Sequence, residues 1–259
     1  MSFQSLKIAA VLLGFFLIWE VLVRAFNVPV WLLPAPSVIF AELASAPGTY
    51  VEHSFYTLMT TLMGFGTAFV FGVVLAIGIV YSRFLETTLY TLLVSSNSIP
   101  KIALAPLFII WMGTGIQSKV AVSFLIAFFP IVIDMVLGLR SVDPDALNLF
   151  KTMHGSALQA LLKIRLPNAL PYMFSGLKVA ISLALVGAVA GEFIASQNGL
   201  GYLILAAQGM FFTPRVFAAI LLLGVMGTIL FYLVDLAERL VCPWHVSHRD
   251  EDMTVAARG

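Results

Sequence analysis

Long apolar runs dominate the chain, and polar residues gather in the segments between them. Six runs are long enough to cross about 30 Å of hydrocarbon as helices. They lie at residues 7–25, 54–80, 87–112, 118–140, 168–195 and 215–241. Because only helices and closed barrels satisfy the backbone inside a bilayer, runs of this length predict an all-α, polytopic membrane protein with about six transmembrane helices.

One polar interruption, residues 143–167, has a helical pattern of its own. A first apolar face recurs at helical spacing, and a second one is expected to end before Pro167. The two faces consist of Ala146, Leu149, Phe150 and Met153, and of Leu158, Leu161 and Leu162. Gly155 is predicted to take a positive φ and to turn the chain between two short helices that lie flat under the membrane.

Charge keeps this segment out of the bilayer. Each ionised side chain costs about 2.5–3.5 kcal/mol near the bilayer centre, more than the few leucines return. The charged residues are Asp143, Asp145, Lys151, Lys163 and Arg165. The segment is therefore either an interfacial helix pair that packs its leucines against lipid or the bundle, or a docking element for a partner.

The basic residues predict which side each loop faces, because short cytoplasmic loops are enriched in Lys and Arg. An N-terminus inside gives the cytoplasmic side Lys7, Arg83, Arg140, Lys151, Lys163, Arg165, Arg239, Arg249 and Arg258. The outer side then receives Arg24, Lys119 and Arg215. We predict that both termini and residues 143–167 are cytoplasmic. The first run lacks a small-x-small cleavage site and contains Glu20, so it is interpreted as a retained span.

Composition excludes several classes of function. The chain is 61% hydrophobic and 10% charged with a net charge of +1, and its 14 basic residues are spread singly, so no nucleic-acid partner is predicted. The single cysteine, Cys242, allows no intrachain disulfide, and the four histidines show no metal-ligand spacing. No phosphate-binding GxxxxGK[ST] loop occurs. We predict no catalytic residue, metal or cofactor, so uphill transport would need an ion gradient or a separate ATPase.

Helix breakers and charges inside the runs mark a candidate translocation path. Pro100 and Pro106 interrupt the third run, and broken helices at membrane depth are typical of transport sites. The candidate path or gate residues are Asn97, Ser98, Pro100, Lys101 and Glu192. Lys101 either attracts an anionic solute or pairs within the bundle with Glu192 or Asp134. Glu192 follows a run of small residues and is a candidate to cap or brace the gate.

Several short strings occur in an order that resembles one family. The chain reads SIPKIALAPL from residue 98, WMG from 111, GAVAGEF from 187, GLGY from 199, ER from 238 and PWH from 243. Residues 164–171 read IRLPNALP, followed by SGLK at 175–178. These strings resemble the permease subunits of ATP-binding-cassette (ABC) importers that work with a periplasmic binding protein, in particular the nitrate/sulfonate/taurine branch.

The resemblance is uneven within residues 143–167. Family permeases carry a cytoplasmic loop with EAA, three residues, Gly, and about a dozen residues that end in a hydrophobic residue, any residue, Leu and Pro. Counting back from Leu166 and Pro167, the Glu falls on Asn148, the last Ala on Phe150 and the Gly on His154. Gly155 lies one place late, and the usual carboxylate is missing.

The resemblance implies a type I ABC importer permease. Two permease chains, as a homodimer, would form the pore in a bacterial inner membrane, with an ABC ATPase beneath them and a periplasmic or lipoprotein binding protein outside. ATP would be used by the partner chain, and this chain would not be an enzyme. The implied ATPase-coupling residues are Asn148, Phe150, Lys151, Met153, His154, Gly155, Leu158, Leu161, Leu166 and Pro167.

The resemblance also gives domain limits and leaves the solute open. Residues 1–53 are predicted to form the first helix and an outer loop, 54–242 the permease core, and 243–259 a cytoplasmic tail. A small anion of the nitrate, sulfonate or taurine type is expected, and a heterocyclic vitamin precursor is the alternative. From the residues alone, a secondary transporter with Lys101, Asp134 and Glu192 as an ion relay and a non-conducting scaffold remain rival hypotheses.

Overall fold

The computed structural model describes residues 3–96 and 99–244, and the regular elements of these residues are all helical. The helices α1 to α6 are Phe3–Ala25, Pro36–Ser45, Pro47–Tyr81, Arg83–Leu85, Thr91–Ser96 and Ala105–Met112. The helices α7 to α12 are Ile116–Arg140, Pro144–Thr152, Ala157–Ala160, Leu166–Ala195, Leu200–Gly209 and Thr213–Val241. The predicted all-α fold is confirmed.

Four helices in the described part of the chain are long and apolar enough to cross a membrane. They are Pro47–Tyr81, Ile116–Arg140, Ala157–Ala195 and Thr213–Val241. They correspond to the second, fourth, fifth and sixth predicted spans. The first predicted span forms α1, a helix of 23 residues.

The third predicted span is a broken helix. A π-helical turn, Glu86–Tyr90, joins α4 to α5, and a 3₁₀ turn, Lys101–Leu104, leads into α6. Pro100 lies at the break, with φ −67° and ψ 93°, outside the helical region. Proline lacks the N–H group that a continuous helix needs, which is why the ladder stops here. The expected interruption near Pro100 is confirmed.

The centre of the bundle is formed by α3, α7 and α10, which pack along their lengths. Small residues permit this approach: a Cβ at Gly64 would lie 2.3 Å from Ser123 Oγ, and one at Gly187 would lie 2.8 Å from Ser123 Cα. Close backbone contact through small residues is a common way for helices to associate in a membrane, where the hydrophobic effect gives little drive.

Helix α12 is attached to its neighbours by ion pairs as well as by packing. Lys178 on α10 pairs with Asp235 and, at 2.6 Å, with Glu238 Oε2 on α12. At the other end of the bundle, Arg215 Nε on α12 lies 2.9 Å from Glu42 Oε1 on α2. These ion pairs fix α12 against α10 and α2.

Candidate functional site

Helix α8 is the first part of the polar segment, and its ends are specified locally. The Asp143 carboxylate caps the N-terminus by accepting from the Asp145 N–H at 2.8 Å, and Pro144 occupies the first turn. Asp145 in the first turn and Lys151 in the last turn both suit the helix dipole. These signals explain why a helix of nine residues forms here.

Helix α8 lies on the surface. Every one of its residues is exposed or only partly buried. Leu149 is 64% exposed and Met153, just after the helix, is 73% exposed, whereas Phe150 is partly covered. Asn148 and Lys151 are also exposed. An amphipathic helix with bare apolar side chains is typical of a surface that binds something else.

The turn after α8 departs from the prediction by one residue. The positive φ, 59°, belongs to His154 and not to Gly155. The His154 N–H donates to Lys151 O at 3.0 Å and the Gly155 N–H to Phe150 O at 3.1 Å, the pattern of a Schellman cap. Gly155 is needed for space instead, since a Cβ there would lie 2.1 Å from Phe150 Cε1. His154 is thus the left-handed residue, where the family motif has Gly.

The second arm is not a separate helix that ends before Pro167, and that prediction was wrong. A Ser156–Gln159 capping box begins α9, a π-helical turn, Leu161–Arg165, follows, and the helical run continues from Ala157 to Ala195. The π-helical turn shifts the hydrogen-bond pattern just before Pro167, which stands where α10 begins and its missing N–H is tolerated.

The apolar residues of this arm divide between two surroundings. Leu158 is 64% exposed and continues the bare surface of α8. Leu161 is 9% exposed and packs in the core cluster with Ala169, while Leu166 and Pro167 are partly buried. We call Leu149, Met153 and Leu158 the exposed apolar face.

The break at Pro100 forms a second candidate site, at the surface of α7 and α10. A cavity of about 240 Å³ is lined by residues of the break and of α7 and α10, among them Pro100, Lys101, Ile102, Phe129 and Leu183. The Lys101 ammonium lies 4.2 Å from the centroid of the Phe129 ring. This contact is a cation–π interaction, which partly replaces the hydration of the charge. Asn97 and Ser98, also predicted to line the path, lie outside the described residues.

Glu192 lies in a different polar cluster, at the predicted outer end of the bundle. Its side chain is 1% exposed, and Oε2 accepts from the Gly201 N–H at 2.8 Å and from Thr57 Oγ1 at 3.1 Å. Thr57 Oγ1 accepts in turn from the Leu200 N–H at 2.8 Å. The carboxylate and the hydroxyl therefore cap the N-terminus of α11, where unpaired N–H groups favour an anion.

Lys119 belongs to the same end and was not recognised as a site residue in the sequence. Its side chain is fully buried, and its ammonium donates to the carbonyls of Thr114 and Ala195. In the sequence it had counted only as one of three basic residues on the outer side, at the start of the fourth run. The signal that pointed to burial is the small-residue run of α10, since a Cβ at Gly191 would lie 3.1 Å from Lys119 Cα.

A polar cavity of about 410 Å³ lies beside this cluster. It is lined by Tyr56, Thr114, Gly115 and residues 195–198, which connect α10 to α11. The same carbonyls that hold Lys119, those of Thr114 and Ala195, belong to lining residues. The structure thus has three distinct places of interest: the exposed apolar face, the Pro100 break, and the polar cluster at the far end.

These features, a helical membrane bundle with a broken span and an exposed amphipathic segment between two spans, define a solute-transport subunit. Residues 68–241 match the family of the binding-protein-dependent transport system inner membrane component, and the chain belongs to this family. Its fold is that of the permease of the MetNI methionine ABC transporter in an inward-facing structure. The TM-score is 0.65 at 18% identity, over 74% of this chain and 96% of the other.

Curated relatives cover nearly the whole chain. The formylaminopyrimidine transport permease protein ThiX of Halalkalibacterium halodurans is 34% identical over 94% of this chain and 97% of its own length. The riboflavin transport system permease protein RibX of Chloroflexus aurantiacus is 35% identical over 95% and 92%. The taurine transport system permease protein TauC of Escherichia coli is 27% identical over 82% of each chain. The resemblance to ABC importer permeases is confirmed.

Proposed function

We propose that this chain forms the translocation path of an ATP-driven importer and that a separate ABC ATPase binds it at residues 143–167. The observation that carries the proposal is the exposed apolar face, since Leu149, Met153 and Leu158 are each at least 64% exposed. Fully burying such a side chain contributes about 1.5–3 kcal/mol. A groove on an ATPase would cover all three.

The proposal places residues 143–167 and both termini in the cytoplasm, as the basic-residue count predicts. ATP binding by the partner would then act on α8, and the spans would switch as rigid bodies between two orientations. A binding protein would deliver solute from the opposite side, and a second permease copy would complete the pore. This chain uses no ATP itself.

For the solute we propose an aromatic heterocycle of the vitamin-precursor type. ThiX and RibX are 34% and 35% identical to this chain, against 27% for the taurine permease. The cavity at the break suits such a solute, because it presents the Phe129 ring and a largely apolar wall. The expectation of a small anion rests on Lys101, whose ammonium lies against that ring.

Co-purification with the ATPase tests the docking surface. The double variant Leu149→Asp and Leu158→Asp is expected to lose the ATPase while the spans still insert, because two carboxylates cannot enter an apolar groove. Phe84→Asp is a matched control, because Phe84 is an apolar residue that is 72% exposed at the same end of the bundle but lies outside residues 143–167. A double variant that still holds the ATPase would refute docking at this surface.

The same complex, reconstituted with its binding protein in vesicles, tests the solute. Uptake of formylaminopyrimidine or riboflavin is expected to depend on ATP, whereas taurine uptake is expected to stay at the background rate. ATP-dependent uptake of taurine alone would favour the anionic solute and would contradict the heterocycle, while leaving the docking proposal intact.

A further inference from the structure

The C-terminal end of α7 is held by side chains from the beginning of α10. Arg165 Nη1 donates to Leu139 O at 2.8 Å, and Asn168 Nδ2 donates to Ser141 Oγ at 2.7 Å and to Gly138 O at 3.3 Å. The last carbonyls of a helix have no partner within the helix. Arg165 and Asn168 therefore supply, from another element, part of the cap that α7 lacks.

This junction is stiff for two reasons. A guanidinium at a helix C-terminus meets the negative end of the helix dipole, so the Arg165 hydrogen bond is charge-assisted. The two backbones also touch, because a Cβ at Gly138 would lie 2.9 Å from Ala169 Cα. The end of α7 and the start of α10 therefore form one packed unit.

The second arm of the polar segment is anchored in the same place. Tyr81 Oη on α3 donates to Ala157 O at 3.1 Å, and the Arg165 guanidinium lies 5.9 Å from the Tyr81 ring. Leu161 in this arm is buried and belongs to the core cluster that includes Leu139 and Ala169. Helix α8, in contrast, contains no buried residue and is joined to these anchored parts by residues 141–143 and 153–156.

We propose that Arg165 and Asn168 are positioning residues that transmit movement of α8 to the spans α7 and α10. The inference rests on the proposed docking of an ATPase at α8. When α8 is displaced, it pulls on both of its connections. The hydrogen bonds of Arg165 and Asn168 to the end of α7, which we call the clamp, convert this pull into movement of α7 and α10, the two helices that line the Pro100 cavity. Without the clamp, the two connections flex and the spans stay behind.

The experiment measures movement at the cavity in the complete permease–ATPase complex. Ile102→Cys, in a Cys242→Ala background, provides one labelling site in the cavity wall. The probe is a membrane-impermeant maleimide, and ATP with vanadate is the trapping condition. Trapping is expected to change the labelling rate by about tenfold, within the usual range of coupling between sites.

Arg165→Met keeps the apolar part of the side chain but removes its hydrogen-bond donors. It is expected to reduce the change in labelling rate on trapping to less than about twofold. The ATPase should remain bound and should continue to hydrolyse ATP. Asn168→Ala should have the same effect to a smaller degree, and Arg165→Lys should restore most of the change because it returns a cation to the end of α7. Arg83→Ala, which removes an exposed arginine from the same end of the bundle, serves as the matched control.

The outcomes separate this proposal from the proposed function. An Arg165→Met complex with the wild-type labelling change would overturn the clamp. Loss of the ATPase from that complex would also overturn it, because Arg165 would then act in docking and not in transmission. A wild-type chain that binds no ATPase would instead remove the docking proposal on which the inference rests.

Discussion

Residues with unusual backbone dihedral angles are the positions at which this chain tolerates the fewest substitutions. Gly199 has φ 104° and ψ 160°, a conformation essentially restricted to glycine. Its N–H donates to His53 Nδ1 at 3.0 Å, and a Cβ there would lie 2.3 Å from the Glu192 carboxyl carbon. Both the backbone and the space around Gly199 therefore exclude a side chain.

Gly199→Ala is expected to destabilise the protein by at least about 1–3 kcal/mol from backbone strain, before the clash with Glu192 is added. The midpoint of thermal unfolding in detergent, followed by tryptophan fluorescence, measures the effect. Gly224→Ala is the control, because it lies within α12 with open space around its Cβ position and should gain about 0.5–1 kcal/mol. Equal midpoints for the two variants would contradict the assigned role of Gly199.

The Gly199-Leu200-Gly201 string was visible in the sequence, but its environment was not. Its partners His53 and Thr57 lie on α3, more than 140 positions earlier. A lone histidine or threonine in an apolar run carries no mark of such a distant partner. Glu192 was identified as a candidate brace because a carboxylate in a span is costly, yet the element that it caps could not be inferred.

At the scale of elements, the turn after α8 depends on a residue that is unusual for its position. His154 adopts φ 59° where an L-residue pays about 1–2 kcal/mol. Replacement by Gly removes this strain but increases the entropy of the unfolded chain, at a cost of about 0.5–1 kcal/mol. The difference favours Gly by a few tenths to about 1 kcal/mol.

His154→Gly is therefore expected to stabilise α8 slightly. Amide hydrogen exchange across residues 147–155 is the appropriate measurement, since α8 is exposed and global unfolding would not report on it. His154→Ala removes the imidazole while keeping the strained φ, so its exchange should stay near the wild-type rate. Slower exchange in both variants would assign the effect to the imidazole and not to the backbone.

The sequence predicted α8 because its apolar residues recur at helical spacing, and the local cap, first-turn proline and terminal charges agree with that pattern. It failed on the following element for an equally physical reason. Pro167 and the change of polarity both suggest a helix boundary, but a π-helical turn, Leu161–Arg165, lets the helix run through. Such a turn is stabilised by its packing and by the Arg165 contact to α7, neither of which appears in the local pattern.

At the scale of the whole molecule, the attachment of α12 to the bundle depends on a partly buried ion cluster. Lys178 pairs with Asp235 and Glu238, and Arg239 Nε lies 2.9 Å from Asp235 Oδ2. Asp235, Glu238 and Arg239 lie in the last two turns of α12, so the cluster is at one end of the span. Glu238 is nevertheless buried, and a buried charge requires a close partner.

Lys178→Met is expected to destabilise the protein by about 3–5 kcal/mol, because it leaves the buried Glu238 carboxylate without its cation. The thermal midpoint in detergent reports this loss. The triple variant Lys178→Met, Asp235→Asn and Glu238→Gln should recover much of it by removing the opposing charges together. Arg24→Met, which breaks the exposed pair with Glu20, should lower the midpoint far less. A similar small loss in Lys178→Met would show that water reaches the cluster.

The sequence alone determined the class of fold, most of the spans and the break at Pro100, and it predicts that residues 143–167 stay outside the membrane. Each of these depends on local quantities: the length of an apolar run, a missing N–H, or the cost of charges in hydrocarbon. The tertiary structure decided the rest: the left-handed residue at 154, the continuous helix from 157 to 195, the burial of Lys119, the α11 cap and the clamp at Arg165. These features are set by contacts between residues far apart in the chain, so their energies exist only once the helices have packed.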